Sequence, residues 1–201
     1  MGRRPQRDIR DRLLAACTDH VLLHGLPPGL SAFAAGAGTS PRMLIYHFGT
    51  RERLLREVLA EARRRQLGLF HEVLEPRGEP YTRTLARAWG VLTGPEGAPF
   101  LRLFGMVHNT PEGRSLWPDF RRAATTDWLE VLERGLRPAR GDAAPATATA
   151  VLAVMRGLLL DRDATGDTAR ADAAFAAFLG FLDLPGPGFA GSGTEGAGPV
   201  P

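Results

Sequence analysis

The side chains best suited to chemistry lie close together in LSAFAAGAGTSPRMLIYHFGTRERLL, residues 30–55. Thr39, Ser40, Arg42, Met43, Tyr46 and His47 fall within it, and what they offer is recognition of a polyanion rather than bond breaking. Arg42 carries a planar fork of donors that matches the O6/N7 edge of guanine or two phosphate oxygens. Ser40, followed by Pro41, can cap a helix whose first backbone N–H groups face an anion. Thr39 can share that role, and the Tyr46 hydroxyl can reach a phosphate. His47 is better suited to bracing a neighbouring helix than to reading a base. Bond-breaking sets are missing: the sequence has no GxSxG, P-loop, GxGxxG or HExxH. His20 and His24 stand four apart but lack a flanking Glu, so packing or surface placement is expected, with no metal site, no cofactor and no catalytic residue.

The elements that must hold these residues are helical. Apolar residues recur at helical spacing throughout, with almost no strand alternation. A first helix carries the stripe Ile9, Leu13, Ala16, Cys17, His20, Val21 and His24 and ends at Gly25, before Pro27 and Pro28. Cys17 reads as a small buried hydrophobe. A short helix from Ser31 to about Gly36, capped by Ser31, is followed by a turn at Gly38 and a second short helix from Ser40. Ala34, Ala35 and Ala37 let the two approach closely, and Leu44 and Phe48, four apart, pin the second to the core. This is the grammar of a helix-turn-helix. Gly36 weakens the first of the pair by up to ~1 kcal/mol relative to Ala. A longer helix starts at Thr50 and buries Leu54, Leu55, Val58, Leu59 and Ala62, with Arg53 where a capping box would want Glu. Arg63, Arg64 and Arg65 read as a solvated face or as partners of Glu61 and nearby carboxylates.

The chain has 201 residues, 44% hydrophobic and 23% charged, enough for a full core without disulfides. Further helices are expected at about 80–92, 99–109, 111–116, 118–136, 145–160 and 167–184, making the fold all-α: an N-terminal three-helix domain with a helix-turn-helix, then a helical bundle. The domain boundaries are 1–50 (motif about 29–48), 51–184 and a Gly/Pro-rich tail, 185–201, expected to be disordered. All 25 basic residues are Arg. Residues 1–65 carry twelve of them against six acidic residues, and the remainder thirteen against sixteen, so one end is basic and suits a polyanion. Arg3, Arg4 and Arg7 form either an arm or a frayed terminus. The single cysteine suits a reducing compartment, and MGRRPQRDIRDR is no secretory signal. VLAVMRGLLLD is interrupted by Arg156, so no membrane span is expected and the location is read as cytoplasmic.

Phe33-Ala34, Ala37-Gly38-Thr39-Ser40, Tyr46-His47-Phe48 and Thr50-Arg51-Glu52-Arg53-Leu54 together resemble the DNA-binding domain of TetR-family transcriptional regulators over about residues 6–60. Residues 157–179 are similar to the last helix pair of actinobacterial members. Phe33 and Ile45 depart from the pattern, the latter where an aromatic is usual. The resemblance implies a homodimer that binds a double-stranded DNA operator, built from the helices around 145–160 and 167–184. It implies a repressor released by an unknown small-molecule effector, and no membrane partner. It also makes Arg51 a phosphate anchor, at a helix N-terminus where a cation otherwise sits poorly. By spacing, Trp89, Phe104, His108, Trp117, Phe120, Trp128 and Met155 are core residues; the resemblance makes them candidates to line an effector cavity, with Asn109 and Arg156 as polar partners. Two alternatives stand beside it, an effector-independent architectural DNA-binding protein and an all-α enzyme with an unrecognised site.

Overall fold

A computed structural model describes residues 3–183, without the side chains of 3–5, 112, 120 and 121. The tail at 185–201 and the side chains of Arg3, Arg4 and Phe120 therefore lie outside the described residues. The fold is all-α: α1 (Arg3–His24), α2 (Leu30–Gly36), α3 (Pro41–Phe48), α4 (Arg51–Leu74), α5 (Tyr81–Thr93), α6 (Ala98–Asn109), α7 (Pro111–Leu116), α8 (Phe120–Arg140), a 3-10 turn (Gly141–Ala143), α9 (Ala144–Thr165) and α10 (Thr168–Asp183).

Two hydrophobic cores share α4. The first unites Cys17, Val21, Phe33, Leu44, Phe48 and Leu54, Leu55, Val58, Leu59 and Ala62 of α4 with Phe100, Leu103, Phe104 and Val107 of α6. The second begins at Phe70 and Leu74 and takes in α5, α8, α9 and α10. α4 serves both because it is capped and long: Thr50 Oγ1 accepts from the Arg53 N–H at 3.1 Å, and the apolar stripe continues to Leu74.

Three local expectations change. α2 starts at Leu30 with Gly29 as its cap and no side-chain cap bond, so Ser31 lies inside the helix. Gly36 is more than a weak helix former: a Cβ there would stand 2.2 Å from Nδ1 of His20, so α1 and α2 meet through the missing side chain. α8 runs to Arg140 with Pro138 inside it. Proline there has no N–H to donate to the Arg134 carbonyl and its ring crowds that carbonyl, and the helix ends two residues later, at Arg140.

One stretch, within residues 122–165, is long and apolar enough by length and composition to cross a membrane, against the expectation drawn from the interruption at Arg156; only 22% of it is buried. Apolar surface is exposed on α9, where Leu160 is 68% exposed, and on the neighbouring α10, where Phe181 is 71% exposed.

Candidate nucleic-acid interface and apolar cavity

The motif is assembled by backbone geometry first. Gly38 takes φ +62°, the left-handed region that glycine enters without strain. The Thr39 N–H then donates to Ala34 O at 2.9 Å, closing the turn. Ser40 caps α3, its Oγ accepting from the Met43 N–H at 3.3 Å, with Pro41 in the first turn. Leu44 and Phe48 are buried at 0% and 1% exposure, which fixes the rotation of α3 about its axis. A helix so pinned must turn its other face outward. Arg42 is exposed, and Met43, Ile45 and Tyr46 show 39%, 41% and 66% of their surfaces. Thr39 is half-buried and Ser40 exposed.

Tyr46 is steadied from the N-terminal helix, its hydroxyl oxygen accepting from Gln6 Nε2 at 3.2 Å. His47 is half-buried, its ring edge-on to Tyr46 with centroids 5.0 Å apart, and its Nε2 is buried without a hydrogen-bond partner among the described residues. The Arg51 guanidinium donates to Pro27 O at 3.2 Å and Pro28 O at 3.3 Å, so its charge clasps the loop between α1 and α2.

Arg10 is a member of this site that sequence reasoning missed. It pairs with Glu57 of α4, lies 5.0 Å from the centroid of the Phe48 ring and donates from Nε to His47 O at 3.4 Å. A cation at the C-terminal carbonyls of α3 complements that helix end. Nothing in the spacing of α1 marks it, because its partners lie 37 and 47 residues away.

Much of the positive charge of the basic end is balanced within the fold. Arg53 meets Glu57, Arg64 and Arg65 meet Glu61, and Arg65 also meets Asp19. Burial favours the neutral form of the Glu61 carboxyl, but the guanidiniums of Arg65 and Arg64 outweigh it and hold its pKa below the ordinary value. Arg42 is on the outward face of α3 with no carboxylate partner among the described residues.

Arg63 corrects the expectation of a solvated Arg63–Arg65 face. It is 6% exposed, donates to Gln66 Oε1 at 2.6 Å and to Asp127 Oδ2 at 2.8 Å, and lies 5.0 Å from the Trp128 ring centroid and 6.0 Å from that of Phe104. Burial disfavours its charge and Asp127 offsets that. Helical periodicity places this position inward; the run of three arginines hides it.

A cavity of about 130 Å³ opens between α4, α5, α6, α8 and α9. Of the residues proposed for such a site, Trp128 and Met155 line it, as does Arg156. Trp89 instead stacks on Phe175 at 4.6 Å and donates from Nε1 to Asp172 Oδ1 at 2.8 Å, joining α5 to α10. Phe104 belongs to the first core, Trp117 packs against it, and His108 is exposed. Gln66, Phe70, Leu74 and Leu152 line the cavity without having been singled out; their spacing on α4 and α9 carries no signal distinct from core packing. The rings of His20 and His24 lie 4.8 Å apart, and the described residues contain no group of three or more His, Cys, Asp or Glu side chains able to hold a metal.

These features define an all-α protein with an exposed, capped second helix in a helix-turn-helix and a separate helical bundle enclosing a cavity. The fold is that of TetR-family transcriptional regulators. A transcriptional regulator from Rhodococcus sp. Rha1 superimposes with a TM-score of 0.66 at 21% identity, covering 86% of this chain and 95% of that one. A putative transcriptional regulator from Rhodococcus sp. RHA1 gives 0.64 at 27% identity, covering 85% and 95%. A TetR-family regulator from Cytophaga hutchinsonii gives 0.68 at 12% identity, covering 89% and 94%. No protein-family model and no curated protein sequence matches the chain.

Proposed function

We propose that the protein is a homodimeric, non-enzymatic transcriptional regulator of the cytoplasm: a repressor that binds a double-stranded DNA operator and is released from it by a small molecule. The observation that carries this reading is α3, capped at Ser40, pinned by Leu44 and Phe48 and turning Arg42, Met43 and Tyr46 outward. A helix of this kind enters a major groove N-terminus first. Arg42 and Met43 then face base edges, Thr39, Ser40 and Tyr46 face phosphates, and His47 and Arg10 hold the end of the helix. Arg51 acts at the phosphate backbone while setting the loop it clasps.

A single small head makes few contacts, so two are needed, with half-sites about 34–36 Å apart or moderately further. The exposed apolar faces of α9 and α10 support a second copy covering them, which also accounts for an apolar stretch so little buried. The cavity favours ligand response over a purely architectural role. α4 supplies Leu54, Leu55, Val58, Leu59 and Ala62 to the core under the reading head and Gln66, Phe70 and Leu74 to the cavity, so a ligand that shifts α4 re-spaces the heads. By reciprocity, operator DNA weakens ligand binding by the same factor, typically ~1–3 kcal/mol.

Selecting bound duplexes from a random pool tests the reading. One family of sites should emerge, with affinity falling steeply as salt rises; no enrichment, or a flat salt response, would refute it. Arg42→Ala should relax preference at one base position by ~1–3 kcal/mol. A uniform loss across all sequences would instead make Arg42 a phosphate contact. Light scattering on the eluting protein should give twice the chain mass.

A further inference from the structure

The cavity wall carries a charge pattern that specifies its ligand. Among the described residues, its lining side chains are apolar except Gln66 and Arg156, and none is acidic. Arg63 donates to the Gln66 oxygen at 2.6 Å. A guanidinium only donates, so that atom is the carbonyl oxygen and the amide NH2 of Gln66 is left as a donor. Arg156 lines the cavity yet is exposed overall, which puts it at the rim. Its guanidinium donates to Thr125 Oγ1 at 3.2 Å and Ala124 O at 3.0 Å, both neutral acceptors, and among the described residues it has no carboxylate partner. Asp127, next in sequence to Trp128 of the cavity wall, is paired with Arg63. Burial and the charge of Arg63 both press against the Arg156 cation, a strain that a bound anion would relieve. A cationic ligand meets the opposite situation: it would be repelled by the Arg156 cation with no acidic side chain among the described lining residues to offset it, and of the two aromatic rings in the wall Trp128 already has the Arg63 guanidinium 5.0 Å from its centroid.

We propose that the cavity takes a small monocarboxylate with a compact apolar body, about the size of benzoate, whose carboxylate accepts hydrogen bonds from Arg156. The volume limits the apolar body to at most a single ring, since an apolar protein cavity of about 150 Å³ accommodates benzene and the one here is about 130 Å³, so the carboxylate must lie at the rim beside Arg156. A carboxylate matches the fork of an arginine through two parallel bonds. The proposal rests on reading this cavity as the effector site.

Calorimetric titration of the full chain, without DNA, with sodium benzoate, benzyl alcohol and benzylamine at neutral pH tests it. Benzoate should bind at least about tenfold more tightly than the other two, as a charge-assisted pair implies, and Arg156→Gln should remove that advantage while benzyl alcohol binding is unchanged. Benzylamine binding best, absence of benzoate binding, or an unchanged ranking in Arg156→Gln would overturn it. The ranking on the unmodified chain needs no variant, so it stands even if Arg156→Gln fails to fold. Release of a selected duplex is measured separately. Benzoate that binds with this ranking but leaves the duplex bound refutes the regulatory reading alone; a failed ranking refutes the carboxylate even if another compound releases the DNA.

Discussion

The two ends of α4 solve the same packing problem in opposite ways. At the reading head, short helices are held by local devices: a left-handed glycine at Gly38, a serine cap at Ser40 and two anchors four residues apart. In the bundle, long helices are held by contacts between residues far apart in the chain, such as Trp89 with Phe175 and Asp172, or Arg63 with Asp127. Local devices write themselves into spacing and residue type. Distant contacts do not, and the lesson is that a head can be read position by position where a bundle can be read only as a class.

Substitutions can break this contrast, and the largest effect is expected at an anchor. Phe48→Ala should cost about 3–5 kcal/mol, measured by denaturant unfolding, because the ring is buried and also carries Arg10 over its face. A loss under 1 kcal/mol would show that α3 is not held as described.

Next come the two glycines over which a ring lies. A Cβ at Gly135 would stand 2.0 Å from Cζ of Tyr81, whose ring is buried and whose hydroxyl donates to Leu74 O at 3.2 Å. Gly135→Ala should therefore lower stability by about 1–3 kcal/mol. His20, facing Gly36, is only half-buried and can swing aside. Gly36→Ala should cost less, and in a His20→Ala background it should become stabilising by up to ~1 kcal/mol through helix propensity. Equal costs at the two glycines would erase the difference between a head with room to adjust and a bundle without it.

The smallest effect is a response to alkali. Burial pushes the Tyr81 hydroxyl from its ordinary 10.0 to about 12 and the Cys17 thiol from 9.0 to about 11. Both groups are neutral in the fold and ionise more readily once unfolded. Each contribution is therefore complete below the unfolded value and declines as pH rises towards the folded one. Cys17, in the first core, should begin to weaken the fold above pH 9, and Tyr81, in the second, above pH 10. Thermal unfolding of Cys17→Ala and Tyr81→Phe across this range should show each decline reduced in turn; unaltered slopes would refute the assignment.

Legibility differed along the same line. The α1 stripe, the turn at Gly38, the cap at Ser40, the burial of Leu44, Phe48, Leu54, Leu55, Val58, Leu59 and Ala62, and most helix positions were visible as spacing and punctuation. Arg10 was not, since its partners lie on α3 and α4. Arg63 was hidden in a run of like residues. The candidate pocket residues divided for a related reason: Trp128 and Met155 line the cavity, while Trp89, equally aromatic and equally periodic, is used to fasten α10. Residue type says that a side chain will be buried, not which neighbours will bury it.

What the chain determines alone is whatever depends on a few adjacent residues: where most helices start and stop, which face of each is apolar, and that the helix after Ser40 has an apolar anchor and turns Arg42 and Tyr46 to its other face. What only the tertiary structure decides is which buried positions pack solidly and which surround space, which charges are balanced internally, and that Arg156 stands at the rim of an apolar cavity with no acidic partner among the described residues. The reason is physical. Helix caps and turns are satisfied by hydrogen bonds spanning a few residues, whereas close packing and charge pairing depend on side chains brought together only when the whole chain has folded.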